Sequence, residues 1–359
     1  MNNNYVIIMA GGIGSRFWPM STAQYPKQFH DVLGTGKTLV QQTAHRFRNI
    51  CTAENLYVVT NADYAGLVKD QLPDIPEENI LCEPVMRNTA PCIAYATYKI
   101  GKKDPNANMI VSPADHLVQN EVEFERDIRI AIERTATIDK LITLGIKPHR
   151  PDTGYGYIHF NSALQKEVNN KVKKVIAFTE KPPIEKAVEF VASGNYFWNS
   201  GIFIWNYKNI DDAFKLHLPK IADLFISGIP AYNTADEQAF IDENFQKCEN
   251  ISIDYGVMEK SRNVEMVMTD FGWSDLGTWG SLYEHVKWDV DQNAIVGGSV
   301  FLFDAQGNMV RNSTGKTLVI RGLEDYIVVQ TEQATLICPK KEEQEIKQMV
   351  AAINSQTCR

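Results

Sequence analysis

The sequence predicts an α/β protein, a mostly parallel mixed sheet flanked by helices, with a small strand-rich, β-helix-like appendix at its C-terminal end. Three observations carry this. From residue 5 to about 145, short apolar runs alternate with stretches of helical period, the pattern of parallel strands joined by crossover helices. The first run, Tyr5 to Met9, feeds a glycine-rich turn, Ala10-Gly-Gly-Ile-Gly14. After about residue 290, short apolar runs alternate with Gly, Asn and Asp turns instead, the rhythm of stacked strands.

The elements follow in order. Tyr5–Met9, Leu56–Thr60, Ile80–Glu83, Asn108–Ser112 and Leu141–Gly145 read as strands. Segments 39–49, 61–71, 89–102 and 121–137 read as the helices between them. The middle mixes strands (172–179, 202–205) with a helix at 184–193. Beyond it, runs at 299–303, 318–320, 326–330 and 334–337 form the appendix, and a charged helix spans 340–353. We divide the chain into 1–288 and 289–359. In open α/β sheets ligands bind beyond the carboxyl ends of strands, and the glycine turn, Glu83 and the residues after Ser112 all fall there.

Composition excludes several classes. A net charge of −8 over 359 residues argues against general nucleic-acid binding, which wants a basic surface. No apolar run approaches the roughly 18–20 residues of a membrane span, and Met-Asn-Asn-Asn lacks the basic start and apolar core expected of a signal peptide. Six cysteines without CxxC spacing predict free thiols and a cytoplasmic location.

The loop after the first strand carries Arg16 and Lys27 on either side of a proline-punctuated segment. Consecutive backbone N–H groups in such a turn form an anion-binding concavity, and two fixed cations beside it suit a triphosphate. It is neither of two familiar motifs: Phe17 occupies the third glycine of the dinucleotide fingerprint, and Asp31 stands where the P-loop needs its first glycine before Gly36-Lys37-Thr38. Asp115, in Ser112-Pro-Ala-Asp-His116, and Asp275, in Trp273-Ser-Asp-Leu-Gly277, are candidate metal carboxylates. Mg²⁺ takes only one or two carboxylates plus phosphate oxygens and water. His116 reads as a structural histidine. A lone Asp is most often a cap or a turn former.

The run Gly11-Gly-Ile-Gly-Ser-Arg-Phe-Trp-Pro-Met20 with Pro26-Lys-Gln-Phe29 resembles the sugar-phosphate nucleotidyltransferases. The string Glu83-Pro-Val-Met-Arg-Asn-Thr-Ala-Pro91 resembles their mannose-specific guanylyltransferase branch. The resemblance covers about residues 5–340. It implies a Rossmann-like, GT-A-like nucleotidyltransferase fold and transfer of GMP from GTP to α-D-mannose 1-phosphate, giving GDP-mannose and pyrophosphate. It also implies Mg²⁺ or a similar divalent cation at Asp115 and Asp275. Nucleotide contacts are assigned to Ala10, Gly11, Gly12, Gly14, Ser15, Arg16, Lys27, Glu83, Asn88 and Thr89. Sugar-phosphate contacts are assigned to Gly156, Glu180, Lys181 and Asn199. The string Asp254-Tyr-Gly-Val-Met-Glu259 also resembles the guanylyltransferase branch and reads as a structural or sugar-adjacent segment, with Asp254 as a weaker candidate. Arg16, Lys27 and Lys181 are the expected catalytic cations. The attacking oxygen belongs to an ionised phosphate, so no general base is demanded. Guanine offers N–H donors, so an acceptor such as Glu83 is required to select it. A homodimer is expected. Two other readings are a related sugar or base, and a non-catalytic GDP-mannose-binding regulator.

Overall fold

The computed structural model describes residues 3–137, 139–160 and 171–357. The chain forms two compact units, neither continuous in sequence. The first holds Met1–Gly11, Ala44–Ala114 and Val118–Trp273; the second holds Gly12–Thr43, Asp115–Leu117 and Ser274–Arg359.

The first unit is built on one nine-stranded mixed sheet. Its strands are β1 (Asn4–Met9), β2 (Leu56–Asn61), β3 (Ile80–Glu83), β4 (Asn108–Pro113), β5 (Leu141–Ile146), β6 (Gly156–Phe160), β7 (Val172–Glu180), β8 (Tyr196–Asn206) and β9 (Val264–Thr269). The order is β3-β2-β1-β4-β8-β5-β9-β7-β6, with β6 also paired to β8. The first four strands are parallel, in registers such as Ile7↔Val111 and Val58↔Ile80. β8 enters antiparallel between β4 and β5, and β6 and β7 add further antiparallel pairs. The early alternation could not reveal this, because β8 comes from far later in the chain.

Helices α1 (Leu39–Arg46), α2 (Ala65–Gln71), α3 (Thr89–Lys103), α4 (Glu121–Thr137), α5 (Ile184–Ser193), α6 (Tyr207–His217), α7 (Pro219–Ser227) and α8 (Glu237–Asn244) follow. The segment expected to be helical from residue 61 instead ends β2 and makes a 3₁₀ turn over Ala62–Tyr64 before α2 starts. The Asn61 side chain accepts from Asp63 N there, which favours a tight turn over immediate helix. Helix α3 is apolar on nearly every side, with residues 90 to 101 all buried, as a helix packed within a core must be. It starts at Asn88, whose side chain accepts from Thr89 N at 2.9 Å. Asn88 is therefore the cap. The Thr89 hydroxyl accepts from Ile253 N instead.

In the second unit β10 (Ala294–Gly297), β12 (Met309–Asn312) and β14 (Tyr326–Gln330) stack in parallel, Ala294↔Met309↔Ile327. β11 (Val300–Phe303) and β13 (Leu318–Arg321) stack beside them, and β15 (Thr335–Pro339) closes antiparallel on β14. These are the rungs of a short β-helix. The repeat is irregular in sequence because the corner at 313–317 is longer than its counterpart at 298–299. Buried Asn293 and Asn308 line a corner. Asn308 donates to Asn293 Oδ1 and to Leu323 O, each at 2.9 Å, while its Oδ1 accepts from Tyr326 N. Backbone groups that a corner strands away from the ladders are satisfied in this way. α9 (Trp279–Tyr283) precedes the rungs. The expected terminal helix is a 3₁₀ turn over Lys340–Glu345 followed by α10 (Ile346–Thr357).

The core of this unit joins distant parts of the chain. Phe17, Met20, Val32 and Leu39 are buried in one cluster with Trp279, Met309, Ile327 and Ile346. The rings of Phe17 and Trp279 lie 4.8 Å apart. The loop that bears Arg16 and Lys27 is thus seated on apolar side chains of the C-terminal part. Among the described residues no helix is long and apolar enough to cross a membrane, and Cys51, Cys82, Cys92, Cys248 and Cys338 are free thiols.

Candidate functional site

In the second unit the glycine loop is held open. Gly14 has φ +70°, and a Cβ there would lie 2.5 Å from Lys27 Cβ, so only glycine lets the loop approach that side chain without strain. Gly12 faces open space. Ser15 begins a 3₁₀ turn through Phe17. The amides of residues 12 to 16 have no acceptor among the described residues, leaving a row of donors for an anion.

Lys27 is almost fully buried. Its ammonium makes an ion pair of 2.6 Å with Asp115 Oδ2 and donates to the carbonyls of Asp275 (3.1 Å) and Leu276 (2.9 Å). All three of its protons have acceptors, which is what a buried ammonium requires. Burial alone would raise the Asp115 carboxyl; Lys27, followed by His116, outweighs it and holds the group below the usual carboxylate range. The nearer His116 ring nitrogen is 3.9 Å from Asp115 Oδ1. The Asp275 carboxylate accepts from Gly277 N at 3.0 Å, and Arg16 reaches Gly277 O at 3.5 Å. Segments around residues 27, 115 and 275 therefore converge on one ammonium, and Arg16 reaches the last of them. Among the described residues no group of three or more His, Cys, Asp or Glu side chains could hold a metal by itself. Asp115 and Asp275 supply two carboxylates to this unit, the number Mg²⁺ takes when its remaining ligands are phosphate and water.

In the first unit two further groups form at strand ends. Glu83 ends β3, is 5% exposed, and its Oε1 has no hydrogen-bond partner. Its Oε2 lies 3.7 Å from where a Gly11 Cβ would be. Burial pushes Glu83 up to about 8. Ala10 beside it is fixed by Val59 O and the Thr60 hydroxyl. Asn88 and Thr89 lie on the same stretch, and Arg87 donates to Gln246 O.

The other group gathers Gly156, Glu180, Lys181 and Asn199. Gly156 pairs with Glu180 across β6 and β7, and any Cβ there would overlap Glu180 Oε2. Lys181, at φ +47°, donates to Glu180 Oε1 at 2.7 Å. Burial would lower its ammonium, but the Glu180 carboxylate outweighs it and raises the group. The Asn199 amide is fixed on both sides. Its oxygen accepts from the Thr143 hydroxyl (3.1 Å) and Gly201 N (3.3 Å), and its nitrogen donates to Asp254 Oδ1 (2.7 Å). One amide proton remains for a ligand.

Asp254 thus belongs to this group more firmly than its motif suggested. Burial, and then Glu180, push it up to about 6. Glu259, which ends the same motif and was not singled out as a contact, accepts from Glu180 N at 3.3 Å. Residues 254–258 form a π turn closed by Glu259 N to Asp254 O. An i→i+5 turn brings these two acids to one side, where an α-helix would separate them. The spacing Asp254-Tyr-Gly-Val-Met-Glu259 held both acids, but not the turn type.

Comparisons with known proteins agree on the family. The profile of the family described as nucleotidyl transferase matches residues 5–292. A second, described as MannoseP isomerase/GMP-like beta-helix domain, matches 298–353. The alginate biosynthesis protein AlgA of Pseudomonas fluorescens is 37% identical over 98% of this chain and 72% of its own length. A mannose-1-phosphate guanylyltransferase of Escherichia coli (strain K12) is 35% identical over 98% of this chain and 73% of its own. The crystal structure of a mannose-1-phosphate geranyltransferase from Thermus thermophilus matches with a TM-score of 0.88 at 27% identity, covering 98% of this chain and 99% of that one. With a profile over most of its length and relatives above 30% identity along nearly all of it, the chain belongs to the nucleotidyl transferase family.

Proposed function

We propose that this enzyme transfers the GMP part of GTP to α-D-mannose 1-phosphate, forming GDP-mannose and pyrophosphate. Relatives carrying the name mannose-1-phosphate guanylyltransferase support the substrates. The single observation that carries the chemistry is the buried Lys27 ammonium shared by Asp115 and the backbone at Asp275 and Leu276.

In this reading a phosphate oxygen of mannose 1-phosphate attacks the α-phosphorus of GTP in line. The bond from that phosphorus to the bridging oxygen breaks, and pyrophosphate leaves with the electron pair. No proton has to move, because the nucleophile is already an anion. The amides of residues 12 to 16, with Arg16 and Lys27, hold the triphosphate. One charge pair near 4 Å contributes about 4 kcal/mol at an effective dielectric near 20. Several such pairs that tighten in the transition state supply much of the rate. Lys181 neutralises the sugar phosphate, while Glu180, Asn199 and Asp254 accept and donate to sugar hydroxyls. Glu83 accepts from the guanine N–H edge, and Asn88 bonds base or ribose. Nucleotidyltransferases generally use a divalent cation. Asp115 and Asp275 would hold Mg²⁺ here, and bound there it would offset charge on the triphosphate. Residues 1–288 carry this chemistry. We read the working form as a cytoplasmic homodimer.

A nucleotide-by-sugar matrix tests the assignment. GTP with mannose 1-phosphate should give the highest kcat/KM and release pyrophosphate only with an added divalent cation. Equal turnover in excess chelator, or a preference for another pair, overturns it.

A further inference from the structure

The turn that receives the Lys27 ammonium is itself held by a side chain from the C-terminal end of the second unit. Asp275 O and Leu276 O accept from Lys27, and Gly277 O lies 3.5 Å from Arg16 Nη1. Leu276 is buried and stands at φ +44°. A leucine keeps that left-handed conformation only where its surroundings over-determine it. Local bonds do part of this: Ser274 Oγ accepts from Leu276 N at 3.1 Å, and Asp275 Oδ1 from Gly277 N at 3.0 Å.

The far end of the turn enters α9, where Thr278 and Ser281 cap one another reciprocally. That exchange uses the amides of Thr278 and Ser281 and leaves the Gly280 amide to another acceptor. The acceptor lies 63 positions later in the chain: Glu343 Oε2 takes the Gly280 N–H at 2.7 Å. Hydrogen bonds to a carboxylate are shorter and stronger than those between neutral groups. Glu343 belongs to the 3₁₀ turn Lys340–Glu345. The residue after that turn, Ile346, is buried in the cluster that holds Phe17, Met20 and Trp279. Gly280 makes the seat possible, because a Cβ there would lie 2.8 Å from Glu343 Oε2 and 3.0 Å from Oε1. Burial raises the Glu343 carboxyl above the usual range, while the Gly280 amide, the Thr278 hydroxyl and the Arg16 guanidinium pull it partly back. The carboxylate therefore faces both the turn and one of the two loop cations.

We propose that Glu343 is a positioning residue for the triphosphate loop. By anchoring Gly280 it fixes the turn against which Arg16 and Lys27 are set, so the end of the β-helix segment serves GTP binding without touching the nucleotide. This rests on the assignment of the glycine loop to GTP.

Titration calorimetry of the full chain with GTP in excess Mg²⁺ tests it, beside steady-state turnover. Glu343→Ala should raise the GTP Kd about tenfold, the size expected when a hydrogen bond to a charged group is lost. The KM for mannose 1-phosphate should change little. Glu343→Gln keeps an acceptor for Gly280 N and should recover most of the affinity. Gly280→Ala pushes the carboxylate off its seat and should weaken GTP binding as Glu343→Ala does. Asn308→Ala, which loosens the rungs without touching this turn, should leave the GTP Kd unchanged and so separates loss of the contact from loss of stability. An unchanged Kd in Glu343→Ala and Gly280→Ala overturns the proposal. So does equal weakening in Asn308→Ala, or no recovery in Glu343→Gln. A parent that binds no GTP would instead sink the transferase assignment, and this inference with it.

Discussion

The Lys27 ammonium lies 2.6 Å from Asp115 Oδ2, a salt bridge between residues almost ninety positions apart in sequence, and the same ammonium bonds two carbonyls from a third segment. Lys27→Met would leave Asp115 without its countercharge and two carbonyls without a donor. We expect turnover to fall at least ~10²-fold, as for loss of one preorganised charge. The Asp115 side chain is 31% exposed, so the stability cost is set at about 1–3 kcal/mol, below that of a fully buried pair. The sign with pH follows from the depressed Asp115 pKa. The stabilisation is present above the unfolded value and is lost as pH falls through the folded one. The gap between parent and variant denaturant midpoints should therefore shrink on acidification below about pH 4.

Glu83 predicts the opposite slope. Its folded value near 8 lies above the unfolded value of roughly 4.3. Its contribution is fully present below that unfolded value and is lost as pH rises toward 8. Glu83→Gln should thus match the parent in stability near pH 4 and exceed it increasingly toward pH 8. If Glu83 reads guanine as a carboxylate, the parent KM for GTP should fall as pH approaches 8. The variant should lose that dependence and bind GTP about 10-fold to 100-fold more weakly. A flat parent profile would remove Glu83 from base selection.

Gly156 tests the proposed sugar-phosphate group apart from the proposed nucleotide group. A methyl there collides with Glu180 Oε2 and must move the carboxylate that holds Lys181. Gly156→Ala should raise KM for mannose 1-phosphate by about tenfold or more while KM for GTP changes little. Steady-state kinetics with each substrate varied in turn decides it.

Asn308 predicts a stability effect remote from the chemistry. It is 0% exposed and makes three bonds near 2.9 Å to Asn293, Leu323 and Tyr326. Asn308→Ala strands those groups in the corner, at a cost of about 2–4 kcal/mol by the penalty for buried unsatisfied partners. The thermal midpoint of the C-terminal rungs should fall accordingly.

Much of this was legible from local pattern. Strand and helix alternation placed β1 to β5 and α3 to α4 nearly residue for residue, because apolar periodicity and caps act over neighbouring positions. The glycine loop was legible because a left-handed Gly14 and exposed amides depend on the loop's own sequence. The middle of the sheet was not. β8 inserts between β4 and β5 through hydrogen bonds to residues more than fifty positions earlier, and period alone carries no partner. The π turn that joins Asp254 to Glu259 was equally invisible, since its choice over α depends on what packs around it.

The sequence by itself determined the parallel half of the sheet, the glycine loop and the residue types that charge chemistry requires, all of them consequences of short-range backbone preference. Only the tertiary structure decided that the Lys27 loop rests on the C-terminal core through Phe17 and Trp279. It alone decided that Lys27, Asp115 and the Asp275 backbone share one proton-donating group, and that Asp254 orients Asn199. The physical reason is burial: an ammonium taken out of water must find every acceptor it needs, and those acceptors come from wherever packing brings the chain.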